Sequence, residues 1–408
     1  MYALPKEIKK YSLKWNVMFI YLLFISCWEN IPIVGNVLSH IDELFVLLLF
    51  LYVTNHFNYI LKKKKLLLSI WIIFLSLGLL STLVFCYQNA IPSMIDGIII
   101  TNRFMLGYFS AIIYFKEKNR SYKIETIIPT VKIIIVSLFV IALHDTFLTP
   151  IFYIVDVKYG VNVQSMMFGH PTYLAFAGII LLILLSYNSK EHQNLAYKLM
   201  ISYVIFVTFR SKAMAFVVVY WLIYIYFFLL RQRYIITIGS VALLSGLLVG
   251  RKQIMYYFFG GVAFSPRSIL LMDSIKLAIK HFPLGTGFGT FASSIAAQYY
   301  SPLYVELGYQ KLEGMGLNGK TSYLSDSFWP CIMAQFGFIG TVFFIIVVVG
   351  LLKSTFDKIK VDKKAGFAML MIMVYLLIAS VAETSFFNPA AFLSAMILGL
   401  YEMKNSNL

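Results

Sequence analysis

The sequence predicts an all-α polytopic membrane protein of about twelve transmembrane helices. Three observations carry that expectation. First, 60% of the 408 residues are hydrophobic and 13% are charged, with a mean hydropathy of +0.81. A soluble fold cannot cover itself with so little charge. Second, apolar runs of about 18 residues or more recur along the chain, the length that crosses a hydrocarbon core of about 30 Å. Third, Lys and Arg fall in short clusters between those runs, as they do in cytoplasmic loops. The chain is expected to be a single integral membrane domain, residues 1–408. Its net charge of +16 is accounted for by topology and anionic lipid, so nucleic acid is not an expected partner. Cys27, Cys86 and Cys331 lie in or beside apolar runs and form neither a disulfide framework nor a CxxC site.

The elements follow in order. Lys6, Lys9, Lys10 and Lys14 precede the first run, about residues 15–33, which places the N-terminus in the cytoplasm. No small-residue cleavage site follows, so this helix is read as retained. The second run, about 37–61, ends at Lys62 to Lys65, and the third, 66–86, leads to an outer turn at 88–96. The fourth ends at Phe115 before KEKNRSYK, residues 116–123. The fifth covers about 127–147, and an outer loop occupies 148–171. The sixth ends before Lys190 and Lys198, and the seventh and eighth meet at Arg210-Ser211-Lys212. The eighth stops at Arg231 and Arg233, and the ninth, 234–250, opens into a large extracytoplasmic loop, 251–326. The tenth, about 328–352, precedes Lys353, Lys358, Lys360, Lys363 and Lys364, and the last two flank TSFFNP, residues 384–389. Both termini are then cytoplasmic. No internal repeat is evident, which argues against an inverted-repeat transporter.

The large loop is the longest interval without a membrane-length apolar run. Ser265-Pro266 reads as a helix start, a capping serine followed by proline at the first position. Leu271, Ile275, Ala278, Ile279 and Phe282 then share one helical face, and Asp273, Lys276 and Lys280 the other, predicting an amphipathic helix in the outer interface. PLGTGFGTF follows, with Gly285, Gly287 and Gly289 permitting tight backbone approach; it reads as a flexible turn or as the lining of a ligand site. Residues 314–321 match the P-loop pattern, but a polar segment precedes them where a P-loop needs a strand, so the match is read as coincidence.

Cations on the expected outer side break the positive-inside pattern. Arg210 and Lys212 either snorkel to lipid head groups or clamp an anionic group, for which the planar arginine fork suits phosphate. Arg267, at the start of the amphipathic helix, has the same two readings, with solvation in place of lipid. Arg103 lies seven residues from Asp96, on one face with it, and either pairs with Asp96, Asp42 or Glu43 or contacts ligand. His170 precedes Pro171 and is a helix cap or a functional imidazole; His281 is read as a C-terminal cap. Asp326 is an N-cap or a general base. Tyr299, Tyr300, Tyr304 and Tyr309 could stack on sugar rings or serve as interface tyrosines. No His/Asp/Glu cluster has metal-ligand spacing, so neither metal nor cofactor is expected.

Taken together, IDE at 41–43, GHPTYLA at 169–175, FRSKA at 209–213, PLGTGFGTF at 283–291 and SDSFWPCIMAQFGFIG at 325–340 make the chain resemble the bacterial Wzy-type polysaccharide polymerases and the related O-antigen ligases. That resemblance implies a GT-C-like helical membrane fold. It also implies a polyprenyl-diphosphate-linked oligosaccharide as substrate, at the outer face of the cytoplasmic membrane, with a flippase and a chain-length regulator as partners. It gives Arg210 and Arg267, with Arg103, the role of holding the diphosphate. The ligases carry a histidine late in the large loop; this chain offers Glu306, Glu313 and Asp326 there. A ligase and a lipid-linked oligosaccharide flippase are the alternative readings. The flippase would call for broken helices and polar residues near the midplane, whereas most charges here sit at helix ends.

Overall fold

The computed structural model describes residues 16–28, 41–117, 126–148, 150–152, 156–187, 191–228, 265–316 and 323–403. The expected ninth span, the stretch 251–264 and the lysines flanking the two termini lie outside these residues. What is described is almost wholly helical: α1 (16–28, broken at Phe24), α2 (Ile41–Asn55), α3 (Phe57–Phe85), α4 (Ala90–Met94), α5 (Arg103–Glu117), α6 (Ile128–Phe147), α7 (Pro171–Leu185), α8 (Glu191–Phe206) and α9 (Ser211–Phe228). After the gap come α10 (Pro266–Lys280), the short α11 (Ser294–Gln298) and α12 (Pro302–Glu306), α13 (Phe328–Val361), α14 (Lys363–Ala379) and α15 (Pro389–Met403). The sheet among these residues is a two-stranded antiparallel ribbon, β1 (Val157–Lys158) and β2 (Val161–Asn162). Tyr159 and Gly160 make its turn, both at positive φ, as a tight hairpin requires.

Among the described residues, five helices are long and apolar enough to cross a membrane: Phe57–Phe85, Ala90–Phe115, Ile128–Phe147, Ser211–Phe228 and Phe328–Val361. Four more apolar helices are shorter, so the described residues give fewer full-length spans than the twelve the sequence predicts. Pro171–Leu185 has 15 residues, about 22 Å at 1.5 Å per residue, less than a hydrocarbon core. It is a central helix: every residue from Leu174 to Tyr187 is buried, against α6, α8 and α14. By contrast, α3 turns Leu66, Ile72, Ile73, Leu79, Leu80 and Leu83 outward. An apolar face of that extent fits lipid, since water-soluble monomers rarely expose one.

Two elements differ from expectation. Lys62 to Lys65 fall where two helical segments meet inside α3, Lys64 leaving helical geometry at φ −135° and ψ 39°, and the run before them is itself interrupted at His56. Lys64 Nζ reaches Ser354 Oγ at 2.7 Å and the Glu402 carboxylate, so the charge is drawn into a contact with α13 and α15. Tyr108 bonds the other Glu402 oxygen, and Lys358 Nζ donates to the Glu402 carbonyl at 2.8 Å. This Lys-rich clasp marks one end of the bundle.

The other correction concerns α10. It buries Leu270, Asp273, Ser274, Leu277 and Ala278 and leaves Met272, Ile279 and Phe282 exposed. The buried face is thus rotated from the predicted apolar one. The reason is a partner the sequence does not reveal: Asp273 accepts from Tyr309 Oη and Lys276 Nζ, each at 2.9 Å, which satisfies the carboxylate under the folded loop.

Candidate functional site

The end of the bundle opposite the Lys64–Glu402 clasp gathers the charges. It carries the ribbon, the 207–212 turn, the large loop and the turn 380–388 between α14 and α15. Phe209 stands at φ 48°, uncommon for a residue with a side chain, and turns the chain from α8 into α9. The Arg210 carbonyl accepts from Ala213 and Met214 N–H at 2.9 Å, which fixes Arg210 at the start of α9. The 148–171 loop is tied alongside by Gln164 N–H donating to the Val207 carbonyl at 3.0 Å.

From this frame Arg210 Nη2 approaches His170 Nε2 at 3.3 Å. His170 is the N-cap of α7, with Thr172 N–H 3.3 Å from its Nδ1. A neutral ring has one acceptor nitrogen, so it serves one of these donors at a time. Burial, then the nearby Arg210 and Lys212 charges, pulls the His170 pKa down to about 4, which keeps the ring neutral.

Lys212 Nζ lies 2.5 Å from Glu383 Oε2, and the Glu383 charge also acts on Tyr375. Arg267, two residues into α10 behind the capping Ser265, sends Nη2 toward Asp326 Oδ2 and the Ala382 carbonyl, both at 3.5 Å. Charge-assisted bonds usually run about 2.7–2.9 Å, so this pairing is loose. Asp326 does not cap α13; Ser327 occupies that position. Burial raises the Asp326 pKa, against the pull of Arg267 and Lys212, with Glu383 adding to the rise. Three cations and two carboxylates thus converge with His170, the four paired side chains among them only partly exposed. The turn 380–388 is the hub. It meets Arg267 through Ala382, Lys212 through Glu383, and Arg103 through the Phe387 carbonyl, which accepts from Nη1 at 3.5 Å.

Such a set can bind a phosphate-like anion and offer a carboxylate to a proton. Arg103 meets the turn, and its side chain lines a small cleft with Tyr21, Phe45, Pro389 and Phe392. Asp96 Oδ2 accepts Gly289 N–H at 2.8 Å, and the Arg103 charge acts on the same carboxyl.

The three glycines are placed elsewhere than at a ligand surface. α13 breaks at Gly337, at φ 68° and ψ −174°, freeing the carbonyls of Ala334 and Gln335. Thr286 and Gly287 N–H donate to them at 2.8 and 3.0 Å. Gly285 N–H donates to Ser81 Oγ and Phe288 N–H to Thr82 Oγ1, while a π-helical turn, Ile95–Ile100, supplies Asp96. A Cβ on Gly285 would sit 2.4 Å from Gln335 backbone, and one on Gly287 would sit 2.6 Å from Thr82 Cα. The motif is a staple joining α3, the π turn and α13, with its N–H groups committed to protein acceptors.

Tyr304 and Tyr309 are fully buried and stack on each other, which rules out a role as sugar platforms; Tyr299 is exposed. His281 caps α10 as expected, its Nδ1 2.8 Å from the Leu277 carbonyl and its Nε2 2.9 Å from Tyr87 Oη. The P-loop match begins after a 3-10 turn, Tyr309–Lys311, rather than a strand; positions 317–321 lie outside the described residues. Among the described residues, no three His, Cys, Asp or Glu side chains gather as metal ligands would.

Two residues went unread in the sequence. Glu383 is a single acid in the last outer turn, and an acid beside outer cations was the available signal. Tyr159, the most exposed large hydrophobic side chain among the described residues, stands on the ribbon with its ring 6.3 Å from that of Phe209. No protein-family model and no curated protein matches the chain, so the functional reading is carried by its own residues and their geometry.

Proposed function

We propose that this protein is a polysaccharide polymerase of the bacterial cytoplasmic membrane, with a GT-C-like arrangement of about twelve spans. It moves a growing glycan from polyprenyl diphosphate onto the next lipid-linked repeat unit at the outer face. The observation that carries the reading is the gathering of Arg210, Lys212, Arg267 and Asp326 at one bundle end, opposite the Lys-rich clasp. The resemblance in five short motifs to Wzy-type polymerases supports it, and the positive-inside pattern makes the clasp the cytoplasmic end.

In this reading Arg210 and Arg267 hold the diphosphate of the donor. The acceptor hydroxyl attacks the anomeric carbon, the bond from that carbon to the phosphate oxygen breaks, and its electron pair leaves with polyprenyl diphosphate. Asp326 takes the hydroxyl proton. Cations fixed in a partly dry site stabilise the charge that grows on the leaving group, the term that usually dominates such catalysis. A flippase supplies the substrate and a chain-length regulator acts on the product.

The test is Arg210. Losing a charge-assisted fork contact of about 1.5–3 kcal/mol in Arg210→Ala lowers turnover about ten- to a few-hundred-fold. Arg210→Lys recovers part, keeping the charge without the fork. Polymer ladders from a complementation strain, at matched protein levels, report this. Wild-type ladders from the alanine variant would remove Arg210 from the site.

A further inference from the structure

The rotated packing of α10 leaves an open edge. At about 100° per residue, Met272, Ile275 and Ile279 fall within about 60° of one another, with Lys276 and Lys280 along one flank. Met272 is 58% exposed, Ile279 63%, and Phe282, just past the helix end, 65%. Lys276 and Lys280 are exposed beside them. Lys276 meets Asp273 at 2.9 Å, yet its side chain is 70% exposed, so this is a surface pair that leaves room for a second anion.

The height of this edge is fixed by α3. His281, the C-terminal cap of α10, has Nε2 2.9 Å from Tyr87 Oη and its ring centroid 4.6 Å from that of Phe85. Phe85 ends α3, one of the helices long and apolar enough to cross a membrane. The last turn of α10 therefore lies at the level where α3 leaves the hydrocarbon core. Leu79, Leu80, Leu83 and Val84 turn outward along that end of α3 and carry its apolar surface up to the same level. A water-facing edge there gains nothing from open Met, Ile and Phe side chains. A bilayer interface takes them, with lysines reaching the phosphates.

We propose that this edge, Met272, Ile279 and Phe282 with Lys276 and Lys280, is a binding surface for anionic phospholipid at the bilayer interface. The apolar side chains enter the boundary between headgroups and acyl chains, and the two ammonium groups hold headgroup phosphates. Arg267 opens the same helix, so the anchor also sets the height of the charged cluster. The surface does not depend on which reaction that cluster performs.

The test uses the purified full-length protein in a cysteine-free background, with a nitroxide label on Ile279→Cys, in liposomes of phosphatidylcholine alone or mixed with phosphatidylglycerol. Collisions of the label with oxygen, which partitions into lipid, and with a water-soluble nickel chelate give its depth. In the mixed liposomes the label is expected about 5–10 Å below the phosphates. Without phosphatidylglycerol it should sit shallower, and Lys276→Gln with Lys280→Gln should make the depth the same in both. A label on Glu306→Cys, exposed on α12, should favour the nickel chelate throughout. Met272→Cys gives the same readout if the 279 variant does not fold. Labels at 272 and 279 that meet nickel as freely as the one at 306 overturn the surface. Labels shielded from both reagents overturn it as well, and put a protein partner or a second copy there. A depth indifferent to phosphatidylglycerol with both lysines in place overturns the anionic lipid as its ligand.

Discussion

At Asp326 two influences on a carboxylate oppose each other: burial raises its pKa, and Arg267 and Lys212 restrain the rise. The net direction is upward, which suits a base that must hold a proton briefly. On the polymerase proposal Asp326 works ionised, so polymer formation falls as pH drops through its raised pKa. His170 is pulled down to about 4 by desolvation and by the Arg210 and Lys212 charges. In a pH–rate profile the acid limb should persist in His170→Gln, and Asp326→Asn should lose nearly all activity at every pH. A limb that vanishes with His170 would move the base to the imidazole. Arg210, Lys212, Arg267, Asp326 and His170 were legible in the sequence because a charge at the end of an apolar run stands out. Glu383 was not, because an acid in a short turn looks like ordinary loop polarity until the fold brings it to Lys212, 171 positions earlier.

Between elements, the decisive contact is the interlock of the 283–291 motif with the broken turn of α13. Both halves are visible in the sequence as glycine-rich stretches, yet their pairing is not. Gly285 N–H and its acceptor Ser81 are 204 residues apart, and close backbone approach leaves no local pattern. The same interlock bears on the transporter alternative, which calls for broken helices. α13 is broken, but the loop's own N–H groups fill the break rather than leaving carbonyls for an ion. Gly285→Ala should therefore cost about 2–4 kcal/mol by overpacking and a lost hydrogen bond, seen as reduced protein level and a lower melting temperature in detergent. Gly308, at φ 74° with open space around its Cβ position, is the control: Gly308→Ala should cost only about 1–2 kcal/mol for the left-handed backbone. Equal melting temperatures for wild type and Gly285→Ala, with activity lost, would restore the motif to the ligand site. On the ribbon, Tyr159→Ala should leave stability unchanged and weaken substrate use about two- to twelve-fold if its ring meets glycan, at about 0.5–1.5 kcal/mol for an aromatic contact.

At the scale of the whole molecule, the helical membrane architecture was legible because composition and apolar run length are global properties. Where helices bend and end was not, because the kink at Lys64 and the short buried α7 depend on packing against neighbours. Sidedness is testable directly. In a cysteine-free background, Glu306→Cys, on an exposed part of the large loop, should react with an impermeant maleimide on intact cells, and Lys360→Cys should not. The reverse pattern would put the charged cluster in the cytoplasm.

The central claim is that this cluster transfers glycan from a polyprenyl diphosphate. It is tested most directly by the purified protein in liposomes, given a lipid-linked oligosaccharide repeat unit and no nucleotide. The account predicts a ladder of products, with one polyprenyl diphosphate released for each bond formed. That ladder should persist in EDTA, since the cations of the site supply the charge, and fall at least about tenfold in Arg210→Ala. A ladder that is absent with wild type, or equally long with Arg210→Ala, would contradict it.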